Sequence, residues 1–318
     1  MKKRIAALAT IWLCAVAWLF GQSRGQEPPQ DNTIKVSVRL VNVFATVTDE
    51  HGAPLGKLAK NDFQILEDGI PQNIAFFSKE NELPLSIVLA VDASLSTKND
   101  LRLELESARR FAHAIVRHVD GLSLYRFAET VEELVPFTSD LKRIDRGIAR
   151  VHVGAATALY DAVYLASQSL STRQGRKVLV VITDGGDTVS ATKYPEALRE
   201  AQDSEAVVYS IVVVPIEASA GRNTGGEHAL IQLSQDTGGK HYYAASAAQL
   251  EQVFRRIGDE LRTQYLLAYY PKQRIADSDF RRIEVRVAHR SSDSDLPINV
   301  RHRTGYYAHQ SKQDSNLR

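Results

Sequence analysis

The middle of the chain alternates short apolar runs with longer segments in which apolar residues recur at helical spacing. The apolar runs are SIVLAVD (86–92), GLSLYRF (121–127), KVLVVITD (177–184) and AVVYSIVVV (206–214). The segments with helical spacing are 99–119, 139–151, 158–170, 195–205 and 247–264. Short continuous apolar runs are typical of strands that are covered on both faces. Residues 84–265 are therefore predicted to form a doubly wound α/β domain with a mainly parallel sheet.

The segments on either side of this region have a different pattern, in which apolar and polar residues alternate. Residues 34–52 and 61–80 alternate in this way, and the residues Glu67, Asp68 and Gly69 favour a hairpin turn. Residues 33–80 are predicted to form a small all-β module. The alternating strands of 266–308 are too few to stand alone, so we expect them to join that module. The polar segment 309–318 is predicted to be disordered.

The first residues, MKKRIAALATIWLCAVAWLFGQSRG, combine a basic start, an apolar core and small polar residues. This layout predicts a signal peptide over residues 1–25, because about sixteen apolar positions are few for a membrane span. An uncleaved anchor is the alternative. A secreted or periplasmic protein follows from the prediction. The single cysteine, Cys14, lies in this segment, so the mature chain would contain neither disulfides nor thiolate metal sites.

Charge adds little to this picture. The 39 basic and 38 acidic residues give a formal net charge of +1. No strong global field is available to attract nucleic acid or an acidic membrane. We therefore expect any recognition to depend on a local site, with no nucleic-acid partner and no membrane span after signal cleavage.

Acidic and hydroxyl side chains follow the predicted strands at the point where each strand ends. Asp92, Ser94 and Ser96 occur at alternate positions after the first apolar run, and Asp184 ends the third. Thr157 lies between these runs, in a glycine-containing loop that leads into a helix. In open α/β sheets, ligands bind beyond the carboxyl ends of the strands. Carboxylate and hydroxyl oxygens are ligands that suit Mg²⁺, although Mn²⁺ and Ca²⁺ also accept them. The sequence thus predicts a divalent-cation site, while helix capping is the simpler alternative for such residues.

The motifs DASLS, GAATAL and VITDGGD resemble the metal-ion-dependent adhesion site of the von Willebrand factor type A domain. The resemblance implies that the hydroxyls of Ser94, Ser96 and Thr157 bind the ion. It also implies that Asp92 and Asp184 bind it directly or through water. Such a site would leave a coordination position open to a carboxylate of another protein.

A wider resemblance covers residues 33–308 and is to the von Willebrand factor A-related proteins found in Acidobacteria. The matching segments are 38–78, TALYDAV (157–163), DTGGKHYYAA (236–245), ELRTQYLLAYYP (260–271) and RTGYYA (303–308). This chain has Leu95 where the family has glycine, and Thr97 where it has methionine. Leu95 stiffens the loop and makes its rim more apolar.

Three functions fit these observations. The first is an exported, non-enzymatic, adhesion-type protein that captures an Asp or Glu side chain of a partner protein through the cation. The second is a structural part of an envelope assembly with a vestigial site. The third is a Mg²⁺-dependent hydrolase with an aspartyl nucleophile, but such enzymes need a second carboxylate where this chain has Ser94.

Overall fold

The structure is a computed structural model that describes residues 40–79, 83–98, 101–214, 224–273, 280–287 and 298–308. All of these residues belong to one compact unit, residues 38–318. The predicted signal peptide and the predicted disordered tail both lie outside the described residues, so each stays a prediction. None of the described helices is long and apolar enough to cross a membrane.

Six α-helices and fourteen strands are found among the described residues. The helices are α1 Leu101–Ile115, α2 Leu141–Ile148, α3 Leu159–Ser171, α4 Tyr194–Asp203, α5 Thr224–Thr237 and α6 Ala247–Thr263. The first seven strands are β1 Val41–Thr48, β2 Phe63–Glu67, β3 Ile70–Gln72, β4 Ile74–Lys79, β5 Leu85–Asp92, β6 Gly121–Phe127 and β7 Val131–Thr138. The others are β8 Arg176–Thr183, β9 Val207–Val213, β10 Lys240–Ala244, β11 Tyr265–Tyr269, β12 Phe280–Val287, β13 Asn299–Arg301 and β14 Gly305–Tyr307. Short 3-10 helices cover Lys60–Asp62 and Leu95–Thr97.

A six-stranded central sheet organises the α/β region. Its strand order is β10-β9-β8-β5-β6-β7, and each neighbouring pair is parallel except β6 with β7. β5 and β8 lie side by side, with Val91 opposite Ile182. The residues that follow these two strands therefore leave the sheet at adjacent points. The predicted α/β class with a mainly parallel sheet is confirmed.

Helices cover both faces of the central sheet, as a doubly wound sheet requires. On one face α1, α2 and α6 contribute to the core, where Phe111 stacks on Phe254 with ring centroids 4.5 Å apart. On the other face α3, α4 and α5 pack against the alternate strand residues. β5 is buried at every position, which explains why its sequence is apolar except for Ser86 and Asp92.

Two four-stranded antiparallel sheets, β13-β1-β11-β4 and β14-β12-β2-β3, enclose a separate hydrophobic core. β1 pairs with β11 and β13, and β2 pairs with β12, so strands from both ends of the described chain share these sheets. The hairpin between β2 and β3 turns through Asp68 and Gly69 at φ 49° and 80°, which confirms the predicted turn. The domain boundaries given above stay a prediction.

Three elements of the α/β region have weak signals in the sequence. β7 is an edge strand with mostly half-exposed residues and an internal proline, Pro136, so its apolar pattern is weak. α5 begins with Thr224, Gly225 and Gly226, and glycine is a poor helix former. β10 is also an edge strand, and its sequence KHYYA has no continuous apolar run.

Candidate metal site

The site begins with the tight turn that follows β5. The Ser94 amide donates to Asp92 Oδ1 at 2.8 Å, a local hydrogen bond that bends the chain directly after the strand. The short 3-10 helix Leu95–Thr97 then continues the turn. As a result, the side chains at 92, 94 and 96 belong to one compact loop rather than to an extended segment.

The Asp92 carboxylate is fully buried at the carboxyl end of the central sheet. Its Oδ2 accepts a 2.6 Å hydrogen bond from the Thr183 hydroxyl on the neighbouring strand, while Oδ1 accepts the Ser94 amide. Burial raises the pKa of Asp92 to about 6, and the negative charge of Asp184 adds to this increase. The two hydrogen bonds act in the opposite direction, because they favour the charged form.

Three oxygen donors from two loops lie in direct contact. Ser94 Oγ and Ser96 Oγ are 3.0 Å apart, and Ser96 Oγ donates to Asp184 Oδ1 at 3.0 Å. Neighbouring ligands of an octahedral Mg²⁺ ion, with bonds of about 2.0–2.1 Å, lie about 2.9 Å from each other. The two distances therefore match the spacing of ligands around one hard cation. The chemistry of the donors and their separation both fit a divalent metal ion.

The loop that carries Thr157 lies against this group of donors. The Gly154 amide donates to Ala93 O at 2.7 Å, which joins the loop to the turn between Asp92 and Ser94. The Thr157 amide donates to Thr188 Oγ1 at 2.9 Å, and the Thr188 amide donates back to Thr157 O at 2.8 Å. These contacts fix the backbone of the loop. The binding of an ion by the Thr157 hydroxyl stays a prediction, as do the other four ligand assignments.

The structure separates the roles of the two residues that depart from the family motif. Thr97 is buried and its hydroxyl donates to Ser94 O at 2.9 Å, so it stabilises the turn from inside. Thr97 is therefore not available to a partner at the rim of the site. Leu95 is 61% exposed between the two serines, in keeping with the more apolar rim inferred from the sequence.

Two further acidic residues near the site accept hydrogen bonds from backbone amides. Asp187 accepts hydrogen bonds from the Tyr160 amide at 3.2 Å and from the Ser190 amide at 3.3 Å. Asp161 accepts from the amides of residues 191 and 192. Both carboxylates hold the segment after β8 against the start of α3.

Sequence reasoning missed Thr183 and Thr188. Thr183 is the residue before Asp184, and the parallel pairing of β5 with β8 brings it beside Asp92. Its position at the end of an apolar run indicated that Thr183 lies at the edge of the sheet. The strand order was needed to show that it lies beside Asp92. Thr188 is exposed, and only the loop conformation shows its contact with Thr157.

Among the described residues, no group of three or more His, Cys, Asp or Glu side chains could hold a metal ion. The site has only two carboxylates, and hydroxyls would supply its other protein ligands. Its chemistry thus differs from that of a histidine or cysteine zinc centre.

The sequence profile of the von Willebrand factor type A domain matches residues 87–186, from β5 to the loop after β8. The chain carries a von Willebrand factor type A domain. The matched segment contains Asp92, Ser94, Ser96, Thr157 and Asp184. A search of curated proteins found no sequence that matches.

Several solved structures resemble the chain at low sequence identity. Proximal thread matrix protein 1 from the mussel byssus, with a zinc-occupied adhesion-site motif, has a TM-score of 0.50 and 14% identity; the match covers 61% of this chain and 49% of that one. A von Willebrand factor type A protein from Catenulispora acidiphila has a TM-score of 0.49 and 10% identity, covering 85% and 75%. The conserved hypothetical protein BatB from Bacteroides thetaiotaomicron has a TM-score of 0.45 and 19% identity, covering 55% and 98%.

Proposed function

We propose that this chain is an exported binding protein that holds a divalent cation at the adhesion site and uses it to capture an Asp or Glu side chain of a partner protein. The observation that carries the proposal is the pair of 3.0 Å contacts that join Ser94 Oγ, Ser96 Oγ and Asp184 Oδ1. The ligands would be Asp92, Ser94, Ser96, Thr157 and Asp184. Mg²⁺ is our first candidate, and Mn²⁺, Ca²⁺ and the Zn²⁺ named for the mussel byssus protein are alternatives.

The charge of the donor set supports carboxylate binding. Asp92 and Asp184 are the only acidic residues among the five proposed ligands, so the protein supplies no excess negative charge that would repel a further anion. Neutral hydroxyls at the other positions would leave the ion attractive to a further negative ligand. When bound, the cation supplies a positive charge that a partner carboxylate can contact directly.

The exposure of the site supports recognition of another protein. Ser96 and Leu95 are both exposed, so the donor group opens to solvent beside an aliphatic side chain. A partner segment with an acidic residue next to an apolar one could place the acid at the cation and cover Leu95. Full burial of a leucine side chain contributes about 1.5–3 kcal/mol to the free energy of binding.

The position of Asp92 argues against the hydrolase alternative. An aspartyl nucleophile must reach its substrate, whereas Asp92 is 0% exposed and both of its oxygens accept hydrogen bonds. Residue 94, where a second carboxylate would be needed, is a serine that belongs to the donor group. We therefore propose binding rather than catalysis.

The test uses the full chain and arrays of short peptides. Each peptide carries one Asp or Glu beside an aliphatic residue, and a matched peptide carries Asn or Gln instead. We expect binding of the acidic peptides in Mg²⁺ or Mn²⁺, and loss of binding in EDTA or in Ser96→Ala. Ser171→Ala is the control, because Ser171 lies at the far end of α3 and donates to Gln168 O.

Two results would contradict the proposal. One is the absence of any peptide whose binding needs both the acid and the metal. The other is equal binding by Ser96→Ala and the wild-type chain. A vestigial site in a structural protein would give the first result, together with a melting temperature that does not respond to Mg²⁺ or Mn²⁺.

A further inference from the structure

The segment 152–158, which carries Thr157, is held by contacts with the end of β6 and with the turn that follows it. The Ala155 amide donates to Glu129 Oε2 at 2.7 Å, and the Ala158 amide donates to Ala128 O at 2.7 Å. Glu129 and Ala128 lie in the connection between β6 and β7. The proposed ligand loop thus depends on a hairpin that is not part of the adhesion-site motif.

A buried guanidinium completes this attachment. Arg126 is 1% exposed, and its Nε donates to His152 O at 2.8 Å. Its Nη1 forms an ion pair with Glu132 at 3.1 Å, on the neighbouring strand β7. A buried charge is stable only when its donors are paired, so the contact with His152 O is a strong constraint on the start of the segment.

The segment approaches these side chains so closely at residue 154 that this residue must be a glycine. A Cβ at Gly154 would lie less than 3.0 Å from atoms of Ala128, Glu129 and Arg126. The Gly154 amide also donates to Ala93 O, in the turn beside Asp92. Gly154 therefore lies between the turn that contains Ala93 and the side chains of Arg126 and Glu129.

The electrostatics favour a charged Glu129. The Ala155 amide is the main cause that lowers the pKa of Glu129 below its usual value, and Arg126 and the Ala156 amide contribute. The carboxylate thus accepts from the backbone of the segment that precedes Thr157, with a positive charge nearby. Because Glu129 itself is exposed, its removal leaves no cavity in the core.

We propose that Glu129, supported by Arg126, is a positioning residue that holds the 152–158 segment where Thr157 can serve the metal site. This inference rests on the proposed function for its effect on metal binding, but not for the attachment itself. Removal of residues that orient metal ligands commonly reduces metal affinity by about 10- to 100-fold.

The test compares three variants of the full chain with the wild-type protein. Glu129→Ala removes the acceptor, whereas Glu129→Gln keeps an acceptor oxygen and loses the charge. Glu196→Ala is the matched control, because Glu196 also accepts a backbone amide, that of Lys193, but at the start of α4. Two quantities are measured: hydrogen exchange of residues 152–158 in EDTA, and Mn²⁺ affinity by calorimetry.

We expect Glu129→Ala to speed exchange of this segment and to weaken Mn²⁺ binding by about tenfold. Glu129→Gln should restore most of both properties, and Glu196→Ala should change neither. Exchange in Glu129→Ala that equals the Glu196→Ala control would overturn the inference, as would unchanged affinity for Mn²⁺. If the wild-type chain binds no Mn²⁺, the proposed function fails, and the exchange measurement alone decides whether Glu129 holds the segment.

Discussion

Thr183 offers a sharp test of how the buried carboxylate of Asp92 is held. Its hydroxyl is fully buried and donates to Asp92 Oδ2 at 2.6 Å. Thr183→Val keeps the shape of the side chain but removes this donor. A hydrogen bond to a charged group contributes about 1.5–3 kcal/mol, and the variant leaves a buried oxygen without its donor. We expect the free energy of unfolding to fall by about 2 kcal/mol.

The assay is urea unfolding of the full chain in EDTA. With an m value of about 3 kcal/mol/M, the midpoint should fall by roughly 0.5–1 M while the m value stays constant. Thr172→Val is the control, because the Thr172 hydroxyl is exposed at the end of α3 and donates to Ser169 O. We expect the control to change the free energy by less than about 0.5 kcal/mol. Equal midpoints for the two variants would refute the role assigned to Thr183.

Two further predictions concern the amino end of the central sheet, where Asp120 accepts the Leu85 amide, and the rim of the site. Burial would raise the pKa of Asp120, but hydrogen bonds from Arg117 and the Leu85 amide outweigh it and lower the pKa below 3.8. The charged Asp120 therefore stabilises the fold fully above pH 3.8, and this contribution is lost as the pH falls through the lower folded-state pKa. Asp120→Asn should for this reason flatten the acid limb of a curve of stability against pH. Leu95→Gly should keep the affinity for Mn²⁺ within about twofold of the wild-type value. It should weaken the binding of acidic peptides that have an aliphatic neighbour by about tenfold. A loss of metal binding in this variant, or unchanged peptide binding, would count against the role of Leu95 as a contact residue.

The sequence was most informative where a segment is buried on both faces. β5, β6, β8 and β9 appear as continuous apolar runs, because helices cover both sides of the sheet. The edge strands β7 and β10 lack this pattern, since fewer of their residues are fully buried. The β2–β3 hairpin was predictable because Asp68 and Gly69 favour the positive φ angles that it needs.

The donor group was predictable in part for a similar reason. Residues that follow parallel strands leave the sheet at the same edge, so Asp92 and Asp184 could be placed at that edge, although the distance between them depends on the strand order. Contacts across loops were not predictable. The contact of Glu129 with Ala155 joins two loops, and one of them leads into a strand that the pattern missed. The inward direction of Thr97 likewise depends on the 3-10 turn, which residue types alone did not indicate.

The most direct test of the central claim is a crystal structure of the full chain grown with Mn²⁺ and measured at the manganese absorption edge. The account predicts one anomalous peak per chain, in direct contact with Ser94 Oγ and Ser96 Oγ and beside Asp184. The peak should disappear in crystals of Ser96→Ala grown under the same conditions. An empty site at saturating Mn²⁺, or a peak held by other side chains, would contradict the account.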